Sequence, residues 1–225
     1  MKAVLILSGG LDSSTLAYWL KANGYNEIIC ITFDYGQKQI IELQYAKGIA
    51  NKIGAEHRVI DMSFIKSFLS KSNSSLTNSS INVPYGEYTK ENMESTVVPN
   101  RNSMMLTMAW TIACVEKANA LVYGAHGGDH YIYPDTRPEY FEAINKSLRM
   151  GSDGSRESNL NLLAPFINWH KSDIVQEGER LGVPFIETWT CYEGGEHHCG
   201  LCGACSERKK AFIIANIPDP TVYKN

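Results

Sequence analysis

With 225 residues, 44% of them hydrophobic and 20% charged, the chain is long enough for one sizeable domain, or a domain with a small appendage. That composition excludes disorder as the default state. Twenty-one basic against 24 acidic side chains give a formal net charge of −3, which argues against a protein that lives on non-specific contacts to nucleic-acid phosphates. No run approaches 18 uninterrupted apolar residues, so no membrane span is expected. The segment MKAVLILSGG reads as a first strand, not a signal peptide, because no small-residue cleavage site follows its apolar run.

Lys2 to Leu7 is a continuous apolar run closed by Ser8-Gly9-Gly10, the pattern of a parallel strand buried on both faces. A helix follows from about Asp12 to Asn23, ended by Gly24. Glu27 to Asp34 reads as a second buried strand, 40–53 as a helix ended by Gly54, and His57 to Met62 as a third strand. This alternation predicts an α/β fold, a doubly wound parallel sheet with helices on both faces. Regularity then stops. Nine of the thirteen residues from Ser70 to Asn82 are Ser or Asn, and an insertion over about 67–94 is expected to be a mobile lid or disordered. Helices are expected again near Ser103 to Asn119, Tyr140 to Met150 and Lys171 to Leu181, with strands at Ala120 to Ala125 and Leu160 to Ala164. A closing helix runs from about Gly203 to Asn216. The organisation expected is an α/β domain over 1–185 and a small C-terminal subregion over 186–225.

Open parallel sheets bind ligands beyond the carboxyl ends of their strands, and Ser8-Gly9-Gly10-Leu11-Asp12-Ser13-Ser14 occupies that position after the first strand. The glycines permit a sharp turn that brings backbone N–H groups close to an anion. The serines add hydroxyl donors, and the following helix presents its positive end. A bare turn capped by Ser and Asp is the bland alternative. No GxxxxGK[ST] or GxGxxG pattern is present.

Four of the six cysteines, Cys191, Cys199, Cys202 and Cys205, fall within fifteen residues. Four soft thiolates favour a closed tetrahedral Zn²⁺ site of structural type. An iron–sulfur cluster, or His197 or His198 in place of one sulfur, are the rivals. Cys30 and Cys114 lie in apolar runs and read as core residues, so the chain reads as a reduced, cytoplasmic protein.

SGGLDSS resembles the pyrophosphate-binding loop of the N-type ATP pyrophosphatases, which transfer adenylyl from ATP to a substrate oxygen. Three more segments resemble one family of that group, the 7-cyano-7-deazaguanine synthases: Thr32-Phe33-Asp34-Tyr35-Gly36-Gln37, Val98-Pro99-Asn100-Arg101-Asn102, and GAHGGDHYIYPDTRPEY over Gly124 to Tyr140. Gly127-Gly128-Asp129 stands where many members carry ETD, and Thr136 where they carry cysteine.

The resemblance implies an ATP-dependent carbon–nitrogen ligase that turns 7-carboxy-7-deazaguanine and ammonia into the nitrile, a queuosine precursor, with release of AMP and pyrophosphate. It implies ATP, with Mg²⁺, across Ser8, Gly9, Gly10, Leu11, Asp12, Ser13, Ser14 and Phe33, with Asp12 and Ser13 as catalytic residues. Lys171, at a predicted helix start where the dipole disfavours a cation unless an anion shares the site, is expected as a phosphate contact and the third catalytic residue. Arg101, Asp129, Tyr133, Asp135 and Arg137 are the expected substrate contacts. Arginine suits a bidentate clamp on a carboxylate, and carboxylates suit ring N–H groups. Glu139, Tyr131 and Tyr140 belong to the same segment. His126 and His130 are weighed as proton carriers, with a satisfied loop histidine as the blander reading. A homodimer is implied by the family alone, and no direct nucleic-acid partner is expected. The rivals are a relative that conjugates the deazaguanine to an amine, a tRNA-modifying ATP pyrophosphatase, and a zinc-knuckle binding module without chemistry.

Overall fold

Period-two burial along the first two strands sets the architecture. A computed structural model of the chain describes residues 1–129, 133–152 and 159–224, without the side chains of Lys90, Glu91 and Asp129. In β1 (Lys2–Ile6), continued by Leu7, the side chains of Ala3, Leu5 and Leu7 enter one core. Val4 enters a second core on the opposite face, with Ile6 partly buried against it. In β2 (Glu27–Asp34), Ile28 and Cys30 join the first core, and Ile29, Ile31 and Phe33 the second. Strands buried on both faces must lie inside a parallel sheet.

The sheet has five parallel strands in the order β3-β2-β1-β4-β5. The others are β3 (Glu56–Asp61), β4 (Ala120–Val122) and β5 (Asn161–Leu163). Helices α1 (Leu11–Ala22), α2 (Glu42–Lys52), α7 (Lys171–Leu181) and α8 (Gly203–Ala215) supply buried residues to the first core. Helices α5 (Arg101–Val115) and α6 (Pro138–Gly151) supply the second. The doubly wound expectation therefore holds. The order reverses at β1, which has β2 on one side and β4 on the other, so the crevice at its carboxyl end is the switch point where ligands bind such sheets. Among the described residues, no helix is long and apolar enough to cross a membrane.

Boundaries shift where local backbone chemistry intervenes. Helix α5 starts at Arg101, two residues early, after Asn100 adopts φ 55°. It stops at Val115 because Lys117 is left-handed at φ 51°. Strand β4 ends at Val122, short of Ala125, since the chain leaves the sheet toward Gly124.

The region without periodicity holds two short helices, α3 (Ser63–Leu69) and α4 (Lys90–Glu94). The Ser/Asn-rich stretch between them is packed. Ser74, Ser75, Leu76 and Thr77 are buried, and Leu76 joins the second core. The Thr77 hydroxyl donates to the Leu69 carbonyl at 3.0 Å, and the Asn78 amide donates to the Ser72 carbonyl at 2.9 Å. Beyond it, Val83 enters a third apolar cluster with Trp189 and the four clustered cysteines. Tyr85 bridges to Cys202, Gly86 N–H donates to the Leu201 carbonyl at 2.8 Å, and the Tyr88 ring lies so close to Gly203 that a β-carbon there would meet it at 2.1 Å. The insertion is thus fastened to the cysteine region.

Candidate functional site

The loop after β1 is held by its own serines. Ser13 Oγ accepts from the Ser8 N–H at 3.2 Å, and the two hydroxyls are 3.0 Å apart. Gly10 N–H donates to Ser8 Oγ at 3.3 Å, and Ser14 N–H closes the first helical turn on the Gly10 carbonyl at 3.0 Å. Gly9 has φ 80°, and a β-carbon there would lie 2.6 Å from Ala46 N and 2.7 Å from the Glu42 carbonyl of α2. Only glycine satisfies both the dihedral and the approach.

This loop forms one wall of a cavity of about 260 Å³. Of the residues expected from the sequence to hold nucleotide, Ser8, Gly10, Leu11, Asp12, Ser13 and Phe33 line it, and Lys171 and Arg101 join them. Gly9 and Ser14 lie beneath the surface of the loop, the Ser14 side chain fully buried. Thr136 reaches the cavity, whereas Tyr133, Asp135 and Arg137 are not among its lining residues. The Tyr133 hydroxyl lies 2.6 Å from Thr96 Oγ1, and Arg137 is exposed at the start of α6. The Asp129 side chain and residues His130 and Tyr131 fall outside the described residues.

Charge is arranged in two groups around this cavity. At the loop, Asp12 Oδ2 lies 3.5 Å from Lys171 Nζ and 3.6 Å from His126 Nε2. Asp12 Oδ1 is buried without a hydrogen-bond partner. A lysine at the first position of α7 opposes the helix dipole. Glu207 of α8 offsets this by accepting from Lys171 Nζ at 2.6 Å.

The second group lines the same cavity, beyond the end of β2. Burial there works against the Arg101 guanidinium, yet the surrounding hydroxyls of Tyr35, Tyr192 and Tyr133 leave its pKa above the ordinary arginine value. Glu42 lines the same cavity, and its Oε1 accepts from Gln37 Nε2 at 2.9 Å. Burial raises the Glu42 carboxyl to about 7, against the Gln37 hydrogen bond and the Arg101 charge, which both pull it down. Sequence reading assigned no site role to Glu42, Tyr35, Tyr192 or Arg208, all of which line the cavity.

Arg208 is fully buried. It donates to Thr188 Oγ1 at 2.7 Å, Thr190 Oγ1 at 3.1 Å and the Phe185 carbonyl at 2.9 Å, and pairs with Asp219 at 3.2 Å. These bonds fix the segment that carries Trp189 to the Gly9 carbonyl.

Ligand atoms of Cys191, Cys199, Cys202 and Cys205 all lie within 4.8 Å of one another, and all four residues are buried. Cys199 Sγ accepts from the N–H groups of Leu201 at 3.4 Å and Cys202 at 3.2 Å, a tight knuckle that Gly200 at φ 74° permits. S–H donors at Cys202 and Cys205 hold the Cys191 thiol well below its usual range. Cys202 and Cys205 are pushed up, chiefly by their bonding to Cys191 and its negative charge. Four such sulfurs ionise together only around a cation, so the donor set fits a metal ion. His198 is not part of that set. Its Nε2 accepts from the Thr190 N–H at 3.1 Å, its ring lies 4.3 Å from Trp189, and burial lowers its pKa to about 4. Cys30 is a core thiol, as expected, raised to about 12 by burial.

Two solved structures share the fold at a TM-score of 0.50. NMN synthetase from Francisella tularensis is 17% identical, aligning 96% of this chain with 77% of that one. A predicted subunit of tRNA methyltransferase from Methanocaldococcus jannaschii is 19% identical, aligning 80% with 74%. Closer likeness comes from sequence. The family described as queuosine biosynthesis protein QueC matches residues 2–216. The chain belongs to that family. Among proteins named 7-cyano-7-deazaguanine synthase, that of Brucella anthropi is 45% identical over 225 residues, spanning all of this chain and 94% of that protein. That of Paracoccus denitrificans is 46% identical over 225 residues, with the same coverage.

The departure at Gly127-Gly128 from the family's ETD has a packing reason. Gly127 N–H donates to the Trp169 carbonyl at 2.8 Å, and a β-carbon on Gly127 would lie 2.9 Å from that oxygen. A β-carbon on Gly128 would meet the His126 ring at 3.1 Å.

Proposed function

We propose that this QueC-family chain is an ATP-dependent carbon–nitrogen ligase that converts 7-carboxy-7-deazaguanine and ammonia into 7-cyano-7-deazaguanine. The observation that carries the reading is one cavity, at the switch point of a parallel sheet, lined by both the SGGLDSS loop and Arg101. Full-length relatives carrying the synthase name support the same reaction.

In this reading ATP phosphates lie against the N–H groups of Gly10 and Leu11 and the hydroxyls of Ser8 and Ser13, at the positive end of α1. Lys171 stabilises negative charge as pyrophosphate departs, and Asp12 positions Lys171. The unpaired Asp12 Oδ1 fits a role in holding Mg²⁺, which would balance the phosphate charge. Phe33 flanks the nucleotide. Arg101 clamps the substrate carboxylate beside the α-phosphorus, and Asp129, Tyr133, Asp135 and Arg137 belong to the segment proposed to read the ring. Carboxylate oxygen attacks the α-phosphorus, ammonia displaces AMP to give the amide, and a second adenylation of the amide oxygen precedes loss of AMP as the nitrile forms. The four cysteines hold one structural Zn²⁺, since sulfur ligands alone leave no open position for water. The protein works as a soluble cytoplasmic homodimer.

Removing two oxygens from a carboxylate, each carried off in AMP, requires two AMP and two pyrophosphate per nitrile. Purified protein with 7-carboxy-7-deazaguanine, ammonia, Mg²⁺ and ATP should give that ratio, and the nitrile by mass spectrometry. Accumulation of the primary amide with one AMP per turnover, and no nitrile at long times, would indicate a conjugating relative. No ATP cleavage with this substrate would overturn both.

A further inference from the structure

We infer that Glu42 is the general base of this cavity, the group that takes nitrogen protons as ammonia becomes amide and as amide becomes nitrile. The inference rests on the reaction proposed above. Among the described residues, only two carboxylates line the cavity, Asp12 and Glu42. Asp12 lies at the phosphate loop between Lys171 and His126, where it is engaged with cations. Glu42 lines the same cavity from the start of α2, its carbonyl behind Gly9 of the loop, with Arg101 of α5 close enough to influence its titration.

Glu42 is also positioned. Its Oε1 is held by Gln37 Nε2, and Gln37 is itself locked, its Oε1 accepting from Tyr35 N–H at 2.9 Å and its Nε2 donating to the Phe33 carbonyl at 3.0 Å. One carboxylate oxygen is therefore anchored while the other is left for chemistry. A base anchored through one oxygen keeps its direction without losing its acceptor. The titratable groups facing it are Arg101 from α5 and Tyr35 from the end of β2, with Tyr192 around the same guanidinium and Asp12 and Lys171 lining the same cavity.

The chemistry asks for such a base. When ammonia attacks the acyl adenylate, its nitrogen must lose a proton as the carbon–oxygen bond breaks and the electron pair leaves with AMP. In the second cycle the amide oxygen bonds to the α-phosphorus of ATP, pyrophosphate leaves, and the nitrogen gives up one proton to form a neutral imidate. The last N–H proton is removed as the second carbon–oxygen bond breaks. That N–H electron pair becomes part of the triple bond, and the C–O pair departs with AMP. Glu42 accepts each proton and returns it to water before the next. Burial holds the Glu42 carboxyl near 7, where a base is strong enough to accept a proton and ready to release it.

The test compares wild type with Glu42→Gln and Glu42→Asp. The first adenylation moves no nitrogen proton, so exchange of labelled pyrophosphate into ATP, driven by 7-carboxy-7-deazaguanine without ammonia, should stay within about twofold in Glu42→Gln. Conversion of supplied primary amide to nitrile should fall about 10²- to 10⁴-fold. That conversion also avoids the titration of ammonia itself. In wild type its rate should rise with pH through about 7. Glu42→Asp should keep that limb at reduced rate, and Glu42→Gln should lack it. Nitrile formation by Glu42→Gln at the normal rate, or an unchanged acid limb, would overturn the inference. So would loss of pyrophosphate exchange in step with nitrile formation, which would make Glu42 a binding or folding residue. Absence of exchange in wild type would instead overturn the reaction assignment, and this inference with it.

Discussion

The backbone N–H of Trp189 donates to the Gly9 carbonyl at 2.8 Å, so the segment entering the cysteine knuckle is hydrogen-bonded to the loop after β1. The same tryptophan gives its indole N–H to the Cys191 carbonyl at 2.8 Å and packs against Tyr45 of α2 and His198. A metal held by the cysteines would therefore stiffen the loop through one residue.

Metal analysis of purified protein should find close to one Zn²⁺ per chain. Chelation, or Cys202→Ser, should lower Tm and loosen the loop as well as the knuckle, because structural zinc contributes folding energy directly. Loss of the Trp189–Gly9 hydrogen bond, about 1 kcal/mol, corresponds to roughly fivefold weaker ATP binding. Iron with a visible charge-transfer band, or a Cys202→Ser protein with full metal content and an unchanged Tm, would contradict this assignment.

Asp12→Ala and Ser13→Ala should release pyrophosphate from ATP about 10²-fold more slowly or worse while remaining folded. Ser13 is buried, but its hydroxyl serves the loop, bonding Ser8 and the Gly10 carbonyl. Circular dichroism checks the fold, and a normal rate of pyrophosphate release in either variant would remove that residue from the machinery.

The sheet was legible because its central strands are buried on both faces, and a run such as EIICITFD leaves no other assignment. The loop after β1 was legible because its glycines and serines are local in sequence. Glu42 was not, since on α2 it looks like any solvated helical carboxylate. Its titration is set by burial and by the charge of Arg101, fifty-nine residues later. The insertion without periodicity concealed Leu76 and Val83, apolar residues that join cores built from elements far along the chain. Arg208 likewise reads as surface charge until Thr188, Thr190 and Asp219 fold around it.

Arg208→Ala should destabilise the protein strongly. It removes the partner of Asp219 and strips donors from two threonines and a carbonyl, a change of about 3–5 kcal/mol for a broken buried pair. Thermal melting should show a Tm loss of roughly 6–20 °C. Exposed Lys210→Ala on the same helix is the control. Equal melting of the two variants would refute the structural role of Arg208.

Gly178 marks a close crossing of α7 with α1. A β-carbon there would lie 2.4 Å from Phe185 Cζ and 2.9 Å from Thr15 Oγ1. Gly178→Ala, which elsewhere would favour a helix, should instead cost about 1–3 kcal/mol through overpacking. A denaturant midpoint at or above that of wild type would show that Phe185 moves aside freely.

Glu42 gives the pH dependence of stability a definite sign. Its carboxyl is raised from 4.5 to about 7 in the folded protein, so the unfolded chain releases this proton more readily than the native one. The stability it contributes is complete below the unfolded value and is lost as pH rises through about 7. Glu42→Gln stays neutral at every pH and its carbonyl can still accept from Gln37. The variant should therefore match wild type in acid and exceed it above neutrality. Partial exposure of the side chain reduces the expected gain to about 1–2 kcal/mol, or a Tm higher by roughly 2–8 °C. Melting curves of both proteins across pH read this directly. A variant less stable than wild type in alkali would mean that the charged form of Glu42 is favoured in the fold, with the attraction of the Arg101 charge outweighing burial.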